Sequence, residues 1–251
     1  MIKTAWITGA GKGIGRAVAL RLAKDGVCVA VSARTQDDLE NLADEARDLA
    51  GTIHVFPLDV TEEETVHNTV AEIENSLGPL DLVILNAGTH GPTPVEKFKP
   101  SVFQRLLTIN VMGVVNGLAA ILPQFIERKN GHVAVVSSVA GYRGLPGASA
   151  YGASKAALIN MCEALKPELD RHNVTISLIN PGFVKTPLTD QNDFPMPFLV
   201  SAEKAADRIV RGLATKRFEI TFPRRFTWLL KILRCLPYAI YFWFTRRIVR
   251  S

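Results

Sequence analysis

The fold of this chain is decided by the segment Thr4-Ala5-Trp6-Ile7-Thr8-Gly9-Ala10-Gly11-Lys12-Gly13-Ile14-Gly15. The apolar run predicts a strand over 3–8, and the residues after the glycines predict a helix over 13–24. Such a turn needs glycine where backbone approaches a ligand and where helix packs closely on strand. The free N–H groups at the helix start favour a pyrophosphate. The spacing Gly-x-x-x-Gly-x-Gly therefore predicts a dinucleotide-binding turn, with a merely tight turn as the alternative.

The same alternation continues outward from this segment. Short β-branched runs predict strands over 3–8, 27–33, 53–58, 81–86, 132–138, 174–180 and 218–222. Longer amphipathic stretches predict helices near 13–24, 36–49, 62–76, 101–127, 151–171 and 202–215, with N-capping signals at Thr35, Thr61 and Ser201. Regular alternation predicts an α/β domain over 1–221, a doubly wound parallel sheet of about seven strands. Ligands bind such sheets beyond the carboxyl ends of the strands.

Length and composition narrow the class of protein. The 251 residues suffice for one α/β domain with a full core, and 47% of them are apolar, as in ordinary globular proteins. The cysteines (Cys28, Cys162 and Cys235) are too scattered for a disulfide framework, and the histidines show no metal-ligand spacing. The start, Met1-Ile2-Lys3-Thr4, lacks the regions of a signal peptide. We therefore expect a cytoplasmic protein with no metal site.

Three residues form a candidate acid/base site. Tyr151 and Lys155 are one helical turn apart, so they lie on one face of the predicted helix. An ammonium beside a phenol lowers the tyrosine pKa, and such a tyrosine gives or takes a proton at a substrate oxygen. Ser138, at the end of an apolar run, would supply a second hydrogen bond to that oxygen. The alternative is an inert pair on a helix surface, because short motifs arise often by chance.

The end of the second predicted strand favours NADP over NAD. NAD-binding proteins usually place a carboxylate there, on the ribose 2′-hydroxyl. Here the strand ends Val31-Ser32-Ala33-Arg34, and Arg34 would pair with a 2′-phosphate. Lys12 adds a second positive charge, and Asp37 and Asp38 fit the first turn of the next helix. The alternative is that Arg34 and Lys12 are solvated surface charges.

In its ordered motifs the chain resembles the short-chain dehydrogenase/reductase family over about residues 3–222. The motifs are Thr8-Gly9-Ala10-Gly11-Lys12-Gly13-Ile14-Gly15, Asp59-Val60, Asn86-Ala87-Gly88, Asn110, Ser138, Tyr151-Gly152-Ala153-Ser154-Lys155, and Pro181-Gly182 with Thr186. Each motif is weak alone, but all stand in order near a strand or helix end. The resemblance implies a Rossmann fold and an NAD(P)-dependent oxidoreductase that acts on CH–OH or C=O groups.

The resemblance also implies catalytic roles. Tyr151 would be the general acid/base, and Lys155 would lower its pKa and hydrogen-bond the nicotinamide ribose. Ser138 would orient and polarise the substrate carbonyl, and Asn110 would hold a water that links Lys155 to solvent. In reduction, NADPH would deliver hydride to the carbonyl carbon while Tyr151 protonates the developing alkoxide.

Cofactor contacts are implied at the remaining motifs. The glycine turn would hold the pyrophosphate through Gly9, Gly11, Lys12, Gly13, Ile14 and Gly15. Asp59, beside Val60, would bind the adenine amino group, or would only cap the strand end. Asn86 would steady the sheet with Ala87-Gly88 against the adenosine ribose, or would be a buried turn residue. Pro181-Gly182 and Thr186 would contact the nicotinamide end. The remaining candidates, His90 and His132, fit structural roles better than catalytic ones.

The loop after the sixth predicted strand favours an apolar substrate. Long loops there are often functional lids, and Phe194, Met196 and Phe198 would form an apolar wall. Tyr142 and Leu145 would add to this wall. The alternative is that these groups pack on the domain's own surface. We expect an apolar carbonyl compound or secondary alcohol, such as a lipid, sterol or fatty-chain ketone.

Residues 222–251, the tail, differ from the rest of the chain in composition. They hold seven basic residues, no acidic one and 8 of the 19 aromatic residues, whereas residues 1–221 have a net charge of −2. A helix is predicted near 225–235, and the apolar stretch 236–245 is shorter than the ~20 residues that span a bilayer. Three interpretations stay open: contact with an anionic membrane, a subunit interface or cover over the substrate cleft, and packing on the body.

The expected partners follow from these features. We expect a small-molecule substrate, a homo-oligomer (dimer or tetramer), and no nucleic acid, because the basic residues do not extend into the body. Membrane contact through the tail would place the cytoplasmic protein at the inner membrane face. Two other classes of function are a cofactor-sensing binding protein, which has no need of the acid/base tyrosine, and a membrane-surface scaffold.

Overall fold

A parallel sheet of seven strands organises the structure, a computed structural model that describes residues 2–190 and 196–247. The strands are β1 Thr4–Thr8, β2 Cys28–Ser32, β3 Thr52–Val55, β4 Leu82–Leu85, β5 His132–Val136, β6 Thr175–Pro181 and β7 Glu219–Phe222. Their order is β3-β2-β1-β4-β5-β6-β7, and each neighbouring pair is parallel. The predicted doubly wound sheet of about seven strands is thus confirmed.

Helices cover both faces of this sheet. Successive residues of a strand point to opposite faces, and both faces are apolar: Trp6 enters one buried cluster and Ile7 the other. The helices of the body are α1 Gly13–Lys24, α2 Gln36–Glu45, α3 Glu63–Leu77, α4 Pro100–Leu107, α5 Gly113–Arg128, α6 Ser149–Asp170 and α7 Ala202–Ala214. The helix predicted over 101–127 is divided by a π-helical turn, Thr108–Met112.

One of the three predicted N-caps forms as predicted. The Ser201 hydroxyl accepts a hydrogen bond from the backbone N of Lys204 at 3.3 Å. Thr35 stands at the N-cap of α2 without a side-chain bond. The prediction for Thr61 is wrong, because its hydroxyl donates to Asp59 Oδ1 at 2.8 Å and Glu62 becomes the N-cap of α3.

The segment Pro100–Arg128 is long and apolar enough to cross a membrane by length and composition alone. Half of its most apolar stretch of 18 residues is buried inside the protein. Ile121 and Phe125 of α5 are fully buried in the same cluster as Val83 and Val133 of the sheet. We therefore interpret this segment as part of the domain core.

The tail is helical in its described part. α8 spans Arg224–Cys235, as predicted, and α9 spans Tyr238–Thr245, which the sequence did not predict. Phe222, which sequence analysis assigned to the tail, is the last residue of β7 and pairs with Pro181. α8 follows β7 after one proline, so the tail continues directly from the edge of the sheet.

His132, at the start of β5, is buried and uncharged. Its Nε2 lies 2.8 Å from the hydroxyl of Ser177, and that hydroxyl donates to the Arg217 carbonyl. Nε2 is therefore the donor in this pair. Desolvation, with a smaller effect of Lys216, lowers the pKa of His132 from 6.5 to about 4. The ring is thus held neutral in the sheet, away from the glycine turn.

We predict that acid destabilises the fold through His132. The folded pKa is depressed, so below about pH 6.5 the unfolded chain binds the proton first, and stability is lost as pH falls toward 4. From about pH 7 to about pH 5, the free energy of unfolding should fall by about 2 kcal/mol because of this residue. Urea unfolding at both pH values measures the difference between wild type and His132→Gln.

The variant His132→Gln should lose most of this pH dependence. His172→Gln, at an exposed histidine in the turn before β6, is the matched control and should keep the wild-type pH dependence. An unchanged pH dependence in His132→Gln would show that His132 is not the responsible group.

Candidate active site

The glycine turn lies where the strand order reverses, between β1 and β4. Ligands bind at such switch points. The hydroxyl of Thr8 accepts hydrogen bonds from the backbone N of Asn86 and Ala87, at 3.0 and 3.1 Å. In return, the Asn86 amide donates to the carbonyls of Thr8 and Gly9, both at 3.0 Å. Asn86 therefore ties the turn to the end of β4.

The turn has the shape and polarity that a dinucleotide requires. Gly9 has φ of +64°, and a Cβ there would lie 2.7 Å from Ala87 Cα. Gly13 has φ of +59° and faces the Thr186 side chain, which approaches from the end of β6. Within the described residues, no side chain caps α1, and its first turn carries no acid. Its N–H groups are thus free for a phosphate.

Two cations flank this turn, but their surroundings differ. Arg34 is exposed at the end of β2, and no carboxylate of residues 2–190 or 196–247 pairs with it. The Lys12 ammonium instead lies 3.1 Å from the Asp38 carboxylate. Asp38 belongs to the first turn of α2, as predicted, but its side chain turns back toward Gly11. The predicted second positive charge at Lys12 is therefore partly neutralised.

A cleft of about 110 Å³ runs from the glycine turn to α6. It joins residues that are far apart in the sequence, from the ends of β4, β5 and β6 and from the first turns of α1 and α6. Its lining contains nine of the predicted site residues: Ile14, Asn86, Gly88, Ser138, Tyr151, Lys155, Pro181, Gly182 and Thr186. A dinucleotide laid along it would extend from the glycine turn to Tyr151.

The predicted adenine-side residues follow β3. Asp59 Oδ1 accepts hydrogen bonds from the backbone N and the hydroxyl of Thr61, at 3.0 and 2.8 Å. The Val60 carbonyl accepts a bond from the buried Asn116 amide at 2.9 Å. Asp59 thus caps the strand end, which was the alternative interpretation. Its contact with adenine stays a prediction.

Ser138 and Tyr151 present hydroxyl groups to the cleft. Ser138 follows β5 and accepts a hydrogen bond from the backbone N of Ala140 at 3.1 Å. In this bond Ser138 Oγ is the acceptor, and its hydroxyl proton interacts with Tyr151. Tyr151 lies in the first turn of α6, close enough to Ser138 for the serine hydroxyl to lower its pKa. The two hydroxyls can hydrogen-bond one substrate oxygen.

Lys155 lies one turn further along α6 and is buried. Its ammonium donates to the Val136 carbonyl at 2.9 Å and lies 5.8 Å from the centre of the Tyr151 ring. Desolvation lowers the pKa of Lys155 from 10.5 to about 8. Tyr151 and Lys155 therefore share one helix face, as the spacing predicts, but the ammonium points to β5 and not to the phenol oxygen.

The electrostatics of Tyr151 differ from the sequence prediction. Desolvation raises the pKa of Tyr151 above its ordinary value of 10.0, and the hydrogen bond with Ser138 opposes this without outweighing it. The expected lowering by Lys155 is wrong for this arrangement, because its ammonium is engaged elsewhere. Tyr151 is thus a neutral phenol at physiological pH, which suits a proton donor.

Asn110 supports the site from the protein interior, where it links the loop after β4 to α6. The π-helical turn Thr108–Met112 places its side chain in the interior, fully buried. Its Oδ1 accepts from the backbone N of Thr89 at 2.7 Å, and its Nδ2 donates to the Thr89 carbonyl at 2.9 Å and the Ser154 hydroxyl at 3.0 Å. Ser154 in turn donates to the Tyr151 carbonyl at 2.8 Å. Its link to a water stays a prediction.

His90, for which the sequence favoured a structural over a catalytic role, lies beside the phenol of Tyr151. Its ring packs edge-on against Tyr151, with ring centres 4.8 Å apart, and desolvation lowers its pKa. Its position in the sequence could have indicated this contact, because His90 lies in the loop that follows Asn86-Ala87-Gly88 at the end of β4. A neutral ring here adds to the apolar surroundings of the phenol.

The predicted apolar wall is only partly formed. Tyr142 and Leu145 do not contribute, because they line a small cavity against the tail, and the Tyr142 hydroxyl lies 2.5 Å from the Glu219 carboxylate. Phe198 is exposed, with its ring 6.1 Å from that of Phe226 in α8. Phe194 lies outside the described residues. Met196, partly buried, does not line the cleft.

We predict that Asn110→Ala destabilises the protein by about 2–3 kcal/mol, because it leaves buried groups of Thr89 and Ser154 without partners. The buried Asn116 makes a single hydrogen bond, so Asn116→Ala should cost only about 1 kcal/mol. Urea unfolding of both variants measures the difference. Equal losses would contradict the bracing role of Asn110.

Comparisons with known proteins identify the family of the chain. A family model described as short chain dehydrogenase matches residues 3–195. An uncharacterized oxidoreductase of Myxococcus xanthus is 38% identical over 246 residues, which is 98% of this chain and 97% of that protein. A 3-oxoacyl-acyl-carrier-protein reductase of Thermotoga maritima is 32% identical over 189 residues, which is 75% of this chain and 77% of that protein.

A solved structure shows the same fold. The alcohol dehydrogenase of the archaeon Thermococcus sibiricus, complexed with 5-hydroxy-NADP, has a TM-score of 0.79 at 27% identity and covers 88% of this chain and 96% of that one. Other solved structures with this fold carry NAD or NADPH. The chain belongs to the short-chain dehydrogenase family and is an NAD(P)-dependent oxidoreductase.

Proposed function

We propose that this enzyme reduces the carbonyl group of an apolar, lipid-like substrate with NADPH. The observation that carries the proposal is the placement of Tyr151, a desolvated phenol with raised pKa, beside the Ser138 hydroxyl in the cleft. A protonated phenol is ready to donate to a carbonyl oxygen. In the reverse reaction the same tyrosine would begin as its phenolate, the form that the raised pKa disfavours.

Each residue of the cleft would have a separate role in reduction. Bound nicotinamide supplies a hydride to the carbonyl carbon. Ser138 donates a hydrogen bond to the carbonyl oxygen, and Tyr151 gives that oxygen its proton as negative charge develops. Lys155 keeps a positive charge below about pH 8, and its bond to the Val136 carbonyl holds that charge at the edge of the cleft. Asn110 and Ser154 hold the first turn of α6 in place.

The glycine turn and the end of β2 would hold the adenosine half of the cofactor. The N–H groups of α1 would bind the pyrophosphate, and Arg34 would bind a 2′-phosphate. Arg34 supports NADP because it has no carboxylate partner in the described part of the chain. Asp38 weakens the preference for NADP in part, because its carboxylate pairs with Lys12 and offsets the positive charge of that residue.

The apolar substrate class is supported by the open side of the cleft. Val184 and Leu188 line it from the segment after β6, and Val136 lines it from β5. Phe198 and Leu199 are exposed beside this segment. The relative from Thermotoga maritima acts, by its name, on a 3-oxoacyl group. A ketone on a fatty or acyl chain would fit both observations.

We retain a homo-oligomer, dimer or tetramer, and a cytoplasmic location as part of this proposal. An apolar patch separate from the tail supports self-association: Val95, Phe98, Leu107 and Met112 are all exposed on or next to α4. The three cysteines are free, which suits a reducing compartment.

We predict that Tyr151→Phe lowers kcat for NADPH-dependent ketone reduction about 100-fold or more, because it removes the proton donor. Initial rates with 3-oxoacyl thioesters and long-chain ketones measure this, alongside Ser138→Ala. The matched control is Tyr142→Phe, which removes a hydroxyl outside the cleft and should keep kcat near that of the wild type. Full activity of Tyr151→Phe would refute the mechanism.

The same screen separates an enzyme from a cofactor-sensing protein. Turnover of any of these ketones by the wild type supports the enzyme. Tight NADPH binding without turnover, unchanged in Tyr151→Phe, would favour the sensor.

We predict that Arg34→Gln raises the KM for NADPH roughly 10- to 100-fold, because it removes a charged hydrogen-bond donor to the 2′-phosphate. The KM for NADH should stay the same. The matched control is Arg47→Gln. Arg47 is an exposed arginine just after α2, and it pairs with Asp44. Equal use of NADPH and NADH by the wild type would contradict the assignment of Arg34.

A further inference from the structure

The tail presents an apolar outer surface. Eight of the fourteen large apolar residues that are exposed in the described chain belong to α8 and α9. On α8 they form a stripe at helical spacing, Trp228, Leu229 and Ile232, and on α9 they include Phe242 and Trp243, which are about half exposed. We call these five residues the outer tail surface. Exposed aromatic residues on this scale mark an interaction site.

Polar contacts hold the inner side of the tail to the body. The Lys231 ammonium of α8 pairs with the Glu219 carboxylate of β7. The Arg143 guanidinium donates to the carbonyls of Leu233 and Leu236, at 2.6 and 2.7 Å, and lies 3.9 Å from the centre of the Tyr241 ring. Phe226 and Leu230 of α8 also pack on the core, and Tyr241 of α9 is buried. The two helices are therefore fixed to the body by polar and apolar contacts, yet they keep apolar residues on their exposed side as well.

Cations border the outer tail surface. Arg224 and Arg225 stand at the start of α8, and Arg246 and Arg247 follow α9; all four are exposed. The Arg247 guanidinium stacks on the Trp243 ring, 3.6 Å from its centre. The tail holds no acidic residue. Aromatic side chains with flanking arginines suit a partner that has an apolar interior covered by a layer of negatively charged groups.

Charge also argues against a second copy of the chain on this surface. A symmetric dimer would place the same surface of both subunits face to face, so that the cations of one would meet those of the other. An anionic partner meets no such repulsion. Aliphatic residues such as Leu229 and Ile232 fit hydrocarbon better than they fit stacked bases.

We propose that the outer tail surface docks the enzyme on the anionic face of a lipid bilayer. α8 and α9 lie in the interface with their aromatic side chains in the headgroup region, and their arginines contact lipid phosphates. The Phe226 ring of α8 lies 5.7 and 6.1 Å from the rings of Phe183 and Phe198 after β6. The inner side of α8 therefore packs against the segment that borders the cleft.

Vesicle flotation of the full chain tests the proposal. We expect flotation with phosphatidylcholine vesicles that contain phosphatidylglycerol, much less with phosphatidylcholine alone, and loss of binding at high salt. Arg246→Gln with Arg247→Gln should weaken the partition coefficient roughly 25-fold, about fivefold for each cation removed. Trp243→Glu should weaken it at least about tenfold.

The matched control is the double variant Arg47→Gln with Arg171→Gln, at two exposed arginines outside the tail. It should float as the wild type does. Thermal unfolding midpoints equal to that of the wild type show that each variant is folded. Because flotation requires no turnover, its result is independent of the proposed reductase activity.

Four outcomes would overturn the proposal. They are equal flotation with neutral and anionic vesicles, full flotation of Trp243→Glu, tighter binding to a single-stranded DNA oligonucleotide than to anionic vesicles, and a change of oligomeric state in Trp243→Glu by light scattering. The last outcome would make the surface a subunit interface.

Discussion

The site depends on the exchange of hydrogen bonds between Thr8 and Asn86. Through it the ends of β1 and β4 fix each other where the sheet changes direction, and the glycine turn keeps its shape. A second set of bonds continues from this point. The loop after β4 reaches Asn110 through Thr89, and Asn110 reaches α6 through Ser154. The cofactor end and the proton-donating end are therefore parts of one rigid network.

Desolvation decides the chemistry of this site more than direct ion pairing does. It raises the pKa of Tyr151 and lowers that of Lys155, each toward its neutral form. The two groups share a helix face, yet the ammonium is engaged by the Val136 carbonyl. A phenol that keeps its proton beside the Ser138 hydroxyl favours delivery of a proton to a substrate. This is the physical basis for assigning reduction.

Local pattern predicted the sheet, because the central strands β1, β4 and β5 are buried on both faces and stand out as apolar runs. Motif order then predicted nine residues that the cleft brings together. Long-range side-chain contacts were beyond such patterns. The Tyr142 hydroxyl meets Glu219, 77 positions away, and Lys12 is paired with Asp38. α9 was missed because eight residues of almost continuous apolar character show no helical period.

The account rests on Tyr151 entering the reaction as a protonated phenol. The ultraviolet absorption of tyrosinate, titrated with pH in the wild type and in Tyr151→Phe, measures its ionisation directly. The account predicts that the difference between the two proteins shows Tyr151 ionising above its ordinary pKa of 10.0. A tyrosinate that forms near neutral pH in the wild type, and is absent from Tyr151→Phe, would contradict it.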